Sequence, residues 1–170
     1  MNDRILARVR ALTWVLIVGL VLSGLTAIPL RSEVAWLVKM TGAVERAAKG
    51  LEQASDWAQW ILRIQRALDR TSAADPFLFY GTDWLAFGHF AIALAFVGAL
   101  RDPVRNRWVF VFGMRACMLL IPYALVFGAI RGVPVWWRMI DCAFGISGFI
   151  PAWLCWRWTR GFNLEPGERN

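Results

Sequence analysis

Four apolar runs, at about residues 11–30, 84–100, 108–130 and 133–156, dominate the chain. Each is close to the ~20 residues that a helix needs to cross the hydrocarbon core of a bilayer. In that medium every backbone N–H and C=O must be satisfied within the segment, so runs of this length fold as helices. The expected fold class is therefore all-α: a four-helix transmembrane bundle, forming one integral membrane domain over residues 1–170. The spans take about half of the residues, which leaves no room for a separate soluble catalytic domain.

Composition agrees: 58% of the residues are hydrophobic and 11 are Trp. The net charge of +7 would suggest nucleic acid in a soluble chain, but here the basic residues cluster beside the spans, where anionic headgroups attract them. Membrane lipid is thus the expected partner and nucleic acid is not. Cys117, Cys142 and Cys155 all fall inside apolar runs and lack paired metal spacing, so they read as small packing residues. The first run, from Ala11 to Leu30, exceeds the ~7–15 residues of a signal-peptide core, and Leu25 stands where cleavage wants a small side chain. It reads as a retained anchor.

Arginines near the span ends set the expected orientation. With the N-terminus inside, the inner face carries Arg4, Arg8 and Arg10, then Arg101, Arg105 and Arg107, then Arg157, Arg160 and Arg169, whereas the short outer connection has only Arg131. The expected location is a bacterial inner (plasma) membrane, with both termini cytoplasmic and residues 31–82 outside. From Leu37 this outer segment places apolar residues three and four apart through Met40, Val44, Ala47, Leu51, Ala54, Ala58 and Ile61, and resumes at Leu68 after a slip at Gln65. That is an amphipathic helical seam. Ser32 with Glu33 suits its start, Ala73 to Pro76 its stop, and Gly50 a break between two pieces. No second helix in the same loop is expected to cover the seam. Three covers stay open: the bilayer surface, a second copy of the chain, or a partner protein meeting residues 33–70.

Inside the spans the costly residues are the informative ones. Arg138, Asp141, Gly145, Gly148 and Ala152 share one face of the fourth span, at spacings of three, four, three and four. Small residues admit a close neighbour, so this face should point into the bundle, and the Arg138 and Asp141 charges should pair. The second span offers Gly88, Ala91, Ala95 and Ala99 as a matching surface, with His89 beside it and Asp83 at its mouth. His89 and Asp141 each lie about 9–10 Å from the outer end of their helices, at 1.5 Å per residue. Asp83, His89, Arg138 and Asp141 are therefore the candidates for an outward-facing polar pocket between spans 2 and 4. The alternative is purely structural: His89 as a hydrogen-bonded packing residue, and Arg138 with Asp141 as a neutralised pair. Arg115, deep in the third span, is a candidate for a lipid phosphate or, reaching back to the inner face, for Asp102.

No catalytic residue can be assigned. A single His precludes a multi-histidine metal centre or bis-histidine haem within one chain, and no HExxH, GxSxG, GxGxxG or P-loop string occurs. No metal and no cofactor are expected.

The strings YGTDWLAFGHF, GALRDPVRNRWV and IRGVPVWWRMIDCAFGISGFIPAWLC, between Tyr80 and Cys155, resemble a family of small four-span bacterial inner-membrane proteins for which no activity is established. A fainter similarity is to VanZ-like proteins, small bundles with an early His and a late Arg, Asp and Gly pattern. Arg138, Asp141, Gly145 and Gly148 follow that late pattern loosely, whereas the spacing from Asp83 to His89 departs from it. The expected function is a binding or assembly component of the cell envelope and not a stand-alone enzyme. A small-solute or proton-coupled transporter, or a lipid-modifying enzyme with His89 as general base, are the alternatives.

Overall fold

The computed structural model describes residues 3–48 and 55–162. Among them every element is helical, and four helices are long and apolar enough to cross a membrane. The elements are α1 (Asp3–Ala27), α2 (Leu30–Thr41), α3 (Ala43–Ala48), α4 (Ser55–Ala74), a short 3-10 turn (Pro76–Phe79), α5 (Tyr80–Arg101), α6 (Arg107–Ile130) and α7 (Val135–Thr159). Helices α1, α5, α6 and α7 are the spans. Most of their large apolar side chains stay uncovered by protein, as lipid-facing side chains do.

Span limits differ from the expected ones at the polar ends. Helix α1 begins at Asp3, eight residues before the apolar run, because Arg4, Arg8 and Arg10 extend a helix as readily as they mark its flank. It stops at Ala27, and Leu30 already opens α2. Helix α7 likewise runs on to Thr159.

Two compact units divide the chain: one is Met1–Leu20 with Ala91–Asn170, the other Val21–Phe90. In the first, Phe110, Val109, Val9, Thr13, Cys155 and Thr159 are fully enclosed. The Cys155 thiol points at the Val9 carbonyl (3.7 Å), and Phe96 packs on Phe110 with ring centres 6.2 Å apart. Helices α6 and α7 pack along each other. Their joint is a tight turn: α6 ends at Ile130, Arg131 caps it, Gly132 takes φ +69°, and the amides of Gly132 and Val133 return to the carbonyls of Ala129 (3.0 Å) and Gly128 (2.8 Å). That pattern needs a left-handed residue after the Arg131 cap, which glycine adopts without strain.

In the second unit α2, α3 and α4 pack on one another. This corrects the expectation that nothing in the segment covers the seam. Gly42, at φ +57°, ends α2, so the helical phase is reset before α3. Met40 and Val44, expected in the seam, are exposed, while Val38 and Ala43 are buried. Ala58 and Ile61 are buried as expected, and α4 stops at Ala74. Arg31 near the start of α2 meets Asp69 near the end of α4 (2.7 Å), so the two run antiparallel. Helix α2 starts at Leu30 and not at Ser32, with no side-chain cap. Gly50, Leu51 and Ala54 lie outside the described residues.

Candidate functional site

Of the four residues of the expected pocket, Asp83 and His89 belong to one unit and Arg138 and Asp141 to the other. On α7 the expected stripe does face protein. Gly145 and Ala152 are buried, and Arg138, Asp141 and Gly148 are half-buried. A Cβ at Gly145 would stand 3.0 Å from the Cys117 carbonyl oxygen, and one at Gly148 would stand 2.9 Å from the Cys117 sulfur, so both glycines let α6 approach.

Arg138 turns to α6 and not to Asp141. Its methylenes lie across Gly128, where an added Cβ would stand 2.5 Å from its Cδ, and its Nη1 donates to the Leu125 carbonyl at 3.2 Å. Its Nε is buried and unpartnered. Asp141, one turn on, makes no hydrogen bond or ion pair with any described residue.

In the other unit the His89 Nδ1 lies 2.8 Å from the Leu85 carbonyl. A carbonyl only accepts, so Nδ1 carries the proton, and Nε2 is left as the atom able to accept in the neutral ring. Asp83 is exposed in the first turn of α5, where a negative charge complements the helix N-terminus. The packed face of α5 agrees with the expected one at Ala99 and differs from it toward the start of the helix. Gly88 has nothing within 4 Å of a would-be Cβ and Ala91 is exposed, whereas Ala86, Ala93, Phe96 and Ala99 are buried. His89 therefore lies on the packed face, in step with Ala86, Ala93 and Phe96. Opposite it in the same unit stands Gly24 of α1, where a Cβ would lie 3.1 Å from the His89 Cβ.

Asp102 and Arg115 do not meet. The Asp102 Oδ1 accepts from the amides of Val104 (3.1 Å) and Arg105 (2.9 Å), which closes the connection after α5. Asn106, which sequence reasoning missed, donates from Nδ2 to the carbonyls of Gly98 and Asp102, both at 3.0 Å. The Asp-Pro string followed by Asn is a turn signal that points to it. Two arginines near the span ends also cap helices. Arg10 donates to the Leu100 carbonyl (3.0 Å), and Arg107 donates to the Arg160 carbonyl (3.3 Å), each satisfying an orphan group at a negatively polarised helix end. Arg157 lies over Trp153 and Arg160 over Trp156, at 5.5 and 5.2 Å. Among the described residues no three His, Cys, Asp or Glu side chains gather as a metal-binding group.

No family model, curated protein or solved structure matches the chain. What the helices define is a class: a multi-pass membrane protein with four spans and a helical segment between the first two.

Proposed function

We propose that the protein is a binding or assembly component of a bacterial inner membrane, with both termini cytoplasmic and α2 to α4 outside. One observation carries this reading. Trp36, Met40 and Val44 follow one another at intervals of four, and all are exposed on a helical segment whose own core, at Val38, Ala58 and Ile61, is already closed. Apolar side chains held out by a satisfied core suit a contact with another body. The polar residues of the spans support the same reading, since His89 and Arg138 both bond to backbone carbonyls.

A photo-crosslinking residue at Met40, with a control at the exposed Gln59 of α4, tests it in cells. A discrete protein adduct at Met40 that is absent at Gln59 is expected, and Val44→Asp should remove it. Adducts with lipid alone at Met40 would sink the reading.

Small-solute or proton-coupled transport is the second reading. It rests on the unpartnered Arg138 Nε beside a half-buried Asp141, since charge is kept inside a membrane at a cost of a few kcal/mol. Asp141→Asn abolishing uptake in proteoliposomes, with the crosslink at Met40 unchanged, would favour it.

A further inference from the structure

Trp108, Phe112, Arg115, Leu119 and Val126 descend one side of α6 at spacings of four, three, four and seven, and all five are exposed. On a spanning helix such a stripe faces acyl chains. Arg115 is its single charge, and it makes no hydrogen bond or ion pair with any described residue. It stands eight residues into α6, about 12 Å along the axis. Helical side chains lean toward the N-terminus of their helix, so its guanidinium points back to the end that begins with Arg107 and Trp108.

A guanidinium among acyl chains needs an anion or water drawn down to it. At that end of the same unit Arg10 and Arg107 are engaged with helix-end carbonyls and leave Arg115 as the donor on this stripe. Trp108, 61% exposed and two turns nearer the helix end, stands where indoles lie at headgroup level. We propose that Arg115 and Trp108 seat one anionic phospholipid, its phosphate on the Arg115 fork and its acyl chains along Leu119 and Val126. The fork of parallel N–H groups matches phosphate oxygens, and the arginines nearby favour a lipid of net negative charge over a zwitterionic one. This assignment is independent of the proposed function.

The test is native mass spectrometry of the full chain released from mixed micelles holding equal phosphatidylglycerol and phosphatidylcholine. The parent should retain phosphatidylglycerol in preference, and Arg115→Gln should lower that retention about tenfold, the size of one charge-assisted hydrogen bond. Arg115→Lys keeps the charge without the fork and should fall between them, while Arg131→Gln, at the other end of α6, should match the parent. Because Arg115 is exposed, both substitutions should leave thermal unfolding in zwitterionic detergent unchanged. Equal retention of the two lipids by the parent overturns the proposal, as does undiminished phosphatidylglycerol on the Lys or Gln variant. So does a loss of self-association in Arg115→Gln with lipid retention intact, which would place a second copy on the stripe.

Discussion

Asn106 sits where a side chain at Gly98 would go: its Oδ1 lies 3.2 Å from the position of an added Cβ, and its Nδ2 donates to the Gly98 carbonyl. The pair locks the connection between α5 and α6. Asn106→Ala should cost about 1–3 kcal/mol, because it leaves two carbonyls without their side-chain donor. Gly98→Ala should also destabilise, but by less when Asn106 is already Ala, since the crowding partner has gone. Unfolding of the four variants in detergent measures this coupling, and strict additivity would refute it.

Gly145 and Gly88 give opposite expectations. Gly145→Ala presses a methyl against the Cys117 carbonyl, a backbone atom that cannot swing aside, and should cost about 1–3 kcal/mol. Gly88→Ala meets open space and should be neutral or stabilising by up to ~1 kcal/mol. A Gly88→Ala variant as damaged as Gly145→Ala would show that α5 packs by the other face.

Gly128 makes room for the Arg138 stem. Gly128→Ala should displace that side chain and cost about 1–3 kcal/mol in the parent, yet be nearly silent in an Arg138→Ala background. Equal costs in the two backgrounds would separate Arg138 from Gly128.

In the helical segment outside the spans, burial and charge differ in weight. Ile61→Ala should cost about 2–4 kcal/mol and speed amide exchange throughout α2, because Ile61 is 5% exposed on α4 and α4 packs on α2. Arg31→Ala should cost less than about 1 kcal/mol, since both partners of its ion pair are largely exposed. Exchange in α2 that ignores Ile61→Ala would mean that α4 does not hold it.

The proposed orientation predicts labelling from the outside at Asp56→Cys and Arg131→Cys, and protection at Arg105→Cys, in a background free of the three native cysteines. The inverse pattern would turn the protein over in the membrane.

Only a lipid core demands twenty apolar residues in a row, which is why the four spans were legible in the sequence. Their polar ends were not, because Asp3 to Arg10 continue the helix beyond the apolar run that marks the span. The stripe on α7 was legible too, since charge and small residues on one face leave lipid as the costlier surroundings. On α5 the same logic held at Ala99 and failed at Gly88 and Ala91: Gly and Ala are at home against lipid as well as against protein, and the packed face also takes in Ala93 and Phe96. Partners that are backbone carbonyls, such as Leu125 for Arg138 and Leu85 for His89, leave no mark in the residue types. The turn after α6 did leave one, in Gly132 followed by Pro134.

The hydrogen bonds that close the connection from α5 to α6 lie within residues 98–106, whereas Arg107 finds its carbonyl on Arg160, more than fifty residues later. During synthesis the second and third spans can thus enter the bilayer as a hairpin whose register is already set. The Arg107 guanidinium stays in the aqueous phase until the last span arrives, a free cation able to hold the inserting hairpin in its orientation before it becomes a cap. Truncation after residue 132 should therefore leave the hairpin correctly oriented, with the final span needed for docking and not for insertion.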